Sequence, residues 1–323
     1  MKPIALILSY VCCLVAAQTG SVRLAPNDAL AIERRLEENP ALIDDRMRLL
    51  DYYAAYRFDY AQNERRKKHV FWLIEHDPAS PLLRSESARL WVAESGYAVG
   101  KELWLRIVRE RGTEPEIYRN AARYFTNADN ALATDLLEKG AVLSPDDTYF
   151  PLEAANVLLQ DAKRPSLPRQ EAIVSAARAV ANFEKAFQRM RPTPAQLASV
   201  TEAAFRGELW DKALELARVA IATTDPLAVH YGHWIRGELA WRDGDLARAK
   251  EELHASAKRS GPLHTGLIRM NLAEKLLKAG ENDAVLAYLD AGGTAWPAGA
   301  RLFREWSILI QNGFTPNFGA NSR

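Results

Sequence analysis

Cysteine is almost absent from this chain of 323 residues. Its two cysteines, Cys12 and Cys13, are adjacent and lie close to the N-terminus. The rest of the chain therefore offers no disulfide, no thiol nucleophile and no cysteine ligand for a metal ion. Without cross-links the fold must depend on a hydrophobic core, and a chain of this length is long enough to bury one.

Long apolar runs are also missing, except near the N-terminus. Residues 4–15 are almost wholly apolar, follow the basic Lys2 and end at the small residues 15–17. This layout is typical of a secretory signal peptide, and the run is shorter than the roughly 18 residues that a membrane span needs. We expect residues 1–17 to be removed and the mature bacterial protein to be periplasmic or extracellular, without stable membrane insertion. An uncleaved N-terminal membrane anchor is the alternative.

The sequence lacks an excess of charge of either sign. Loss of residues 1–17 removes Lys2 and no acidic residue, which leaves 41 of the 42 basic side chains against 41 acidic ones. Because nucleic-acid binding needs a strongly basic surface, we expect no nucleic-acid partner. The basic run at residues 65–68 has the acidic neighbours Glu64 and Glu75, which favours the exposed face of a long helix. Contact with lipid head groups or nucleic acid is the alternative for this run.

What the chain does contain is a helical pattern along nearly its whole length. Apolar residues recur at helical spacing, and Pro and Gly fall at the ends of the periodic segments. We predict an all-α fold with a short helix within residues 18–43 and a helical repeat domain over residues 44–312. A last helix caps the array, and the Gly- and Asn-containing residues 313–323 form a disordered tail.

A short signature recurs four times within this pattern. In each copy a turn is followed by a helix with Ala in its first turns and a large apolar residue or a second Ala four positions on. The copies are Ala133…Leu137, Ala213…Ala217, Ala249…Leu253 and Ala284…Tyr288, and the last three are 36 and 35 residues apart. A period of about 34 to 36 residues is typical of stacked helix pairs. We expect about seven such pairs, the second of them formed by helices at residues 82–94 and 99–111.

Residues 114–145 match a single repeat best. They carry small and large residues in the order Ala121, Tyr124, Ala133, Leu137, Gly140 and Pro145. This segment and residues 196–291 resemble tetratricopeptide repeats, although Ile117 and His233 stand where that family has Trp. The resemblance implies a right-handed α-solenoid whose concave face, lined mainly by the first helix of each pair, binds peptides or partner domains.

The function that this fold favours is that of a non-catalytic adaptor in the bacterial envelope, which binds a protein or peptide. Candidate contacts on the first helices are Tyr52, Tyr56, Tyr118, Asn120, His233 and Arg236. The first two belong to an aromatic crowd with Tyr53, Phe58 and Tyr60, and aromatic side chains are favoured as binding anchors. We expect no metal and no cofactor. His230 and His233, three residues apart, lack a third ligand at helical spacing.

A catalytic alternative centres on Glu94. Residues 93–97 resemble the Glu-Ser motif of soluble lytic transglycosylases, in which a single Glu acts as general acid and base on a glycan. The downstream Gly-Leu-Met-Gln-type segment of that family is missing. Phosphate loops, dinucleotide fingerprints, zinc-protease motifs and serine elbows are missing too. The alternative function is therefore that of a peptidoglycan-associated helical protein that uses Glu94.

Overall fold

The computed structural model describes residues 24–257 and 268–319, so the expected signal peptide lies outside the described residues. The described residues form fifteen α-helices and no β-strand. The helices are α1 Pro26–Glu38, α2 Ile43–Ala54, α3 Tyr60–His76, α4 Tyr97–Arg111, α5 Pro115–Phe125, α6 Asn130–Leu143, α7 Tyr149–Ala162, α8 Arg169–Phe187, α9 Pro194–Arg206, α10 Trp210–Ile221, α11 Pro226–Arg242, α12 Leu246–Ser256, α13 Asn271–Lys278, α14 Asn282–Ala295 and α15 Ala300–Gln311. Within the two described ranges, no helix has the length and apolar character needed to cross a membrane.

The helices begin and end at the residues that punctuate the sequence. Proline occupies the first position of α5, α9 and α11, where its missing N–H costs no hydrogen bond. The carboxylate of Asp225 accepts hydrogen bonds from the backbone N–H groups of Leu227 and Ala228 and so caps α11. Gly244 and Gly280 adopt positive φ angles in the turns of two successive hairpins, a conformation that glycine takes at little cost.

Neighbouring helices pack against each other along the whole described chain. In the C-terminal half, α11 packs against both α9 and α13, and α12 packs against α14. The first helices of successive hairpins therefore form one layer and the second helices another, as in helical repeat proteins. The predicted all-α class is confirmed, and the packing of neighbouring helices is consistent with a solenoid.

The residues of the recurring signature lie in the core. Of its eight residues, Ala284 is partly exposed and the other seven are buried. Small residues also mark the places where two helices approach most closely, since a Cβ at Gly237 would overlap the buried Leu272 side chain. The core is nearly continuous because α7 contributes Ala154 to one apolar cluster and Ala155 to the next.

The second predicted hairpin is where the sequence prediction is wrong. Residues 82–94 were expected to form a helix, but the chain makes a 3₁₀ turn at Pro81–Arg84 and then runs irregularly to the start of α4. This 3₁₀ turn packs against α3 and α5, so the irregular segment lies where the first helix of the hairpin was expected. Only α4, at the predicted residues 99–111, is present.

Arg66, from the basic run, explains how an irregular segment is stable in this position. Its guanidinium donates to the backbone carbonyl groups of Ser87 (3.0 Å) and Arg89 (2.7 Å) and pairs with the carboxylate of Glu94. These bonds satisfy two partly buried carbonyl groups that a helix would have satisfied internally. The irregular conformation therefore does not leave these two carbonyls unpaired.

Lys67 supports the same segment through a hydrogen bond of 2.7 Å from its ammonium to the hydroxyl of Ser95. Arg66 and Lys67 are 2% and 4% exposed. The prediction that residues 65–68 form an exposed helix face is therefore wrong for these two cations. Arg65 and Lys68 are exposed as predicted.

The described part of the expected tail is packed. Phe318 is buried, and its ring meets that of Trp306 edge to face at a centroid distance of 4.9 Å. Burying one phenylalanine side chain contributes about 2 kcal/mol, which favours the packed position of this residue. Within the predicted tail of residues 313–323, Phe318 is therefore packed against the last helix, and residues 320–323 lie outside the described range.

Two helical glycines allow a test of this close packing. A methyl group at Gly140 of α6 would lie 2.6 Å from Cδ1 and 2.8 Å from Cζ of the buried Phe150 ring. We expect Gly140→Ala to lower the free energy of unfolding by about 1 to 3 kcal/mol in urea denaturation. The control is Gly293→Ala in α14, where the nearest atom is 4.0 Å away, and this change should be neutral or stabilising. Equal effects of the two substitutions would contradict the packing.

Candidate functional site

Tyr118 and Asn120 do not form a binding surface. The side-chain amide of Asn120 donates to the backbone carbonyls of Pro78 (2.8 Å) and Ser80 (2.9 Å), and the residue is 1% exposed. The hydroxyl of Tyr118 donates to the carbonyl of Gly112 at 3.1 Å. Both side chains are buried and hold turns in place, so their assignment as partner contacts is wrong.

Tyr52 and Tyr56 lie together at the turn between α2 and α3. Their ring centroids are 5.2 Å apart, and Tyr56 is 46% exposed. Phe58 and Tyr60 follow in the same turn and are 98% and 80% exposed. We call these four residues, Tyr52, Tyr56, Phe58 and Tyr60, the aromatic knuckle. The sequence showed that aromatic residues are concentrated here, but it did not show that Phe58 would be the most exposed of them.

A buried polar network supports the knuckle from below. Tyr53 donates to the carboxylate of Glu33 on α1 at 2.6 Å, and the same oxygen lies 3.2 Å from Nε2 of His69. Nδ1 of His69 lies 3.0 Å from the guanidinium of Arg46, which stacks over the ring of Trp72. Burial lowers the pKa of Arg46 to about 10. These contacts join α1, α2 and α3, so the knuckle projects from a fixed base.

Glu33 shows the electrostatic effect of this network. Burial by itself raises the pKa of its carboxyl group. The hydrogen bonds from His69 and Tyr53 outweigh burial, so the pKa of Glu33 lies below its usual value. The network is therefore arranged around an ionised carboxylate.

His233 and Arg236 are brought together by a carboxylate of the same chain. Nδ1 of His233 lies 2.7 Å from one oxygen of Glu252, and the guanidinium of Arg236 lies 2.8 Å from the other. Arg248 reaches that second oxygen at 3.2 Å. The assignment of His233 and Arg236 as partner contacts stays a prediction. The sequence analysis did not identify Glu252, which is nineteen and sixteen residues further along the chain.

The two histidines considered as metal ligands have different partners. His230 is fully buried, and its Nε2 accepts a hydrogen bond of 2.9 Å from the backbone N–H of Arg269. Burial lowers the pKa of His230 to about 3. His233 instead faces Glu252. No cluster of three potential metal ligands occurs among the residues that the structure describes.

A groove of about 400 Å³ adjoins Arg236. It lies between α10 and α12, the second helices of successive hairpins, with residues of α11 at its floor. We call it the arginine groove, because four arginines line it. Its walls and floor include Trp210, Leu214, Arg218, Arg236, Leu239 and Arg248. It opens in the layer of second helices, whereas the resemblance placed binding on the first helices.

A buried ionic cluster surrounds Glu202, and it was not predicted from the sequence. This carboxylate is almost fully buried and accepts hydrogen bonds from Arg206 (2.9 Å) and Arg269 (2.9 and 3.0 Å). The ammonium of Lys163 lies 2.7 Å from it, and Arg269 also donates to the hydroxyl of Tyr231 at 3.0 Å. Arg206 stands four residues after Glu202 on α9, a spacing that the sequence does show, but Lys163 and Arg269 are 39 and 67 residues from Glu202 and could not be paired with it from the sequence.

Glu94 occupies a structural position. Its carboxylate pairs with Arg66, and its Oε1 accepts a hydrogen bond of 3.0 Å from the backbone N–H of Trp91. Both carboxylate oxygens are therefore engaged in holding the irregular segment. This geometry does not present Glu94 to a substrate as a free acid.

Comparison with known proteins gives no family assignment. No family model matches this chain, and no curated protein matches it. Function must therefore be inferred from the fold and from its surfaces.

The ionic cluster makes a testable contribution to stability. Burial raises the pKa of Glu202, but the charges of Lys163, Arg269 and Arg206 outweigh this and hold it below the usual value. A lowered folded-state pKa stabilises the fold above the unfolded value, near 4.5, and this stabilisation is lost as the pH falls. We expect Glu202→Gln to cost about 3 kcal/mol at neutral pH in urea denaturation. We also expect the variant to lose stability less steeply than the wild type below pH 4.5.

The control for this prediction is Glu215→Gln. The Glu215 side chain is 63% exposed and pairs with Lys212 at the surface. Such exposed pairs contribute about 0 to 1 kcal/mol, so this change should hardly move the unfolding curve at any pH. If the free energy of unfolding varies with pH in the same way for the wild type and for Glu202→Gln, the role assigned to the cluster is refuted.

Proposed function

We propose that this protein is a non-catalytic scaffold that binds a protein or peptide partner. Its stacked helices support this proposal, because repeat arrays offer extended surfaces and few enclosed sites. The finer proposal is a right-handed array similar to tetratricopeptide repeats, of about seven helix pairs. We further propose that the protein is bacterial and acts in the periplasm or outside the cell, a proposal that depends on the signal-like sequence of residues 1–17.

The aromatic knuckle is the observation that carries the binding proposal. Phe58 and Tyr60 are far more exposed than large aromatic residues usually are, and Tyr56 lies beside them. Burying one such side chain against a partner contributes about 1.5 to 3 kcal/mol. Aromatic residues are also the commonest anchors of protein interfaces.

The backbone that presents the knuckle is already ordered. The carboxylate of Asp59 accepts a hydrogen bond of 2.9 Å from the N–H of Gln62 and so caps α3. The backbone N–H of Asp59 in turn donates to the carbonyl of Tyr56 at 2.8 Å. Because the turn is fixed before a partner arrives, little conformational entropy is lost on binding. The alternative, a peptidoglycan-associated role for Glu94, gains no support from its ion pair with Arg66.

The decisive experiment is affinity capture with a double variant of the knuckle. Residues 18–323 are immobilised, envelope extract is passed over them, and the retained proteins are identified by mass spectrometry. We expect Phe58→Ser with Tyr60→Ser to reduce capture of the main partner at least about tenfold, as loss of a hot spot does. The melting temperature should stay unchanged, because both side chains already face solvent.

The matched control is Val142→Ser with Val219→Ser, which removes two exposed apolar side chains from α6 and α10. This control should capture the partner as the wild type does. Equal capture by the knuckle variant and the wild type would refute the knuckle as a partner contact. Retention of sugar or muropeptides without a specific protein would refute the scaffold function.

A further inference from the structure

The arginine groove holds guanidinium groups that share a single carboxylate. Arg236 and Arg248 both contact Oε1 of Glu252, and His233 contacts Oε2. Glu252 itself is buried and is shared by the two arginines and His233. The two arginines therefore keep unused N–H donors close to the groove.

Arg218 adds a third guanidinium to the same groove. It lies on α10, is exposed, and makes no ion pair with any residue of the described ranges. A fourth arginine, Arg242, is already satisfied, because it pairs with Asp243 at 2.8 Å and stacks over the ring of Trp210. The groove thus carries the guanidinium group of Arg218 in addition to the two that share Glu252.

Acidic residues lie at the end of the groove near the starts of α10 and α12. Asp243 is paired with Arg242, and Asp245 caps α12 by accepting a hydrogen bond of 2.9 Å from the N–H of Arg248. Asp211 is exposed in the first turn of α10. The groove therefore carries acidic side chains at this end as well, beside Arg248 in the first turn of α12.

The groove also has an apolar component. Leu239 and Ala240 of α11 are buried at its floor, and Leu214 and Trp210 of α10 are partly buried at its side. A single bound ion would need only the donors. An extended ligand with both acidic and apolar side chains would use the guanidinium groups and the apolar floor together, since an arginine fork matches a carboxylate in two hydrogen bonds.

We propose that the arginine groove binds an acidic peptide segment, whose carboxylates are held by Arg218, Arg236 and Arg248 and whose apolar side chains lie on Leu239 and Leu214. This inference rests on the proposed binding function and names the class of ligand. It concerns a second surface, separate from the aromatic knuckle. The two surfaces can therefore be tested independently.

The test is fluorescence anisotropy with purified protein (residues 18–323) and a short fluorescein-labelled peptide of glutamate and leucine. The matching peptide of glutamine and leucine is the ligand control. We expect the wild type to bind the glutamate peptide and not the glutamine peptide, with affinity falling as salt is added. Arg218→Glu should weaken binding at least about tenfold, because it replaces a charged hydrogen-bond donor by a repelling carboxylate.

The control variant is Arg34→Glu, which makes the same change of charge at an exposed arginine of α1. It should change the affinity less than about twofold, because an exposed charge far from the groove is screened by salt. Equal losses in the two variants would overturn the groove as the site. Equal binding of the two peptides, or displacement by polyphosphate as effective as by unlabelled glutamate peptide, would overturn the acidic-peptide assignment.

The two proposals fail in different ways. Phe58→Ser with Tyr60→Ser should bind the glutamate peptide as the wild type does, since the knuckle lies on the α2–α3 turn. If the knuckle variant loses partner capture and the wild type does not bind the glutamate peptide, the groove proposal is overturned and the knuckle proposal stands. If the wild type binds the glutamate peptide and the knuckle variant captures the partner as the wild type does, the knuckle proposal is overturned and the groove proposal stands.

Discussion

The structure depends on one constraint, which is that each helix has an apolar face that only its neighbours can cover. Small residues allow those neighbours to come close enough. Ala133, Ala213 and Ala249 are fully buried at helix contacts, and Gly140 accommodates the ring of Phe150. Every other feature is placed relative to this stack, because the loops, grooves and ion pairs occupy the positions that the helices leave open.

The irregular segment before α4 shows how far this constraint can be relaxed. A helix would satisfy its own backbone groups, and the segment does without one because Arg66 and Lys67 reach across from α3. Two side chains that the sequence predicts to be exposed therefore replace part of the hydrogen bonding of a helix. Their charge is compensated locally, by Glu94 for Arg66 and by Glu64 for Lys67.

Local patterns were enough to predict the helices that carry strong punctuation. Pro115, Pro194 and Pro226 mark helix starts, and the Ala-based signature identifies residues that are buried in the structure. Residues 82–94 were mistaken for a helix because their stability comes from cations twenty and more residues earlier in the chain. A pattern confined to the segment contains no trace of that support.

The candidate surfaces were predictable only in part, for the same reason. The aromatic crowd at residues 52–60 was visible, but the exposure of Phe58 depends on how the α2–α3 turn is held. The burial of Asn120 depends on carbonyl groups of residues 78 and 80, about forty positions away. Glu202 and Glu252 resemble ordinary helical glutamates in the sequence, and their importance arises only when cations from several elements converge on them.

The cluster at Glu202 also bears on how the array unfolds. In a simple repeat array each unit contacts only its neighbours, so units can open one after another from an end. Lys163 follows α7 and Arg269 precedes α13, and both reach the same buried carboxylate on α9. Opening the segment of Lys163 or of Arg269 would remove one cation from the buried carboxylate, and opening α9 would remove the carboxylate from both. The shared carboxylate therefore couples the opening of α9 to that of the segments on either side of it.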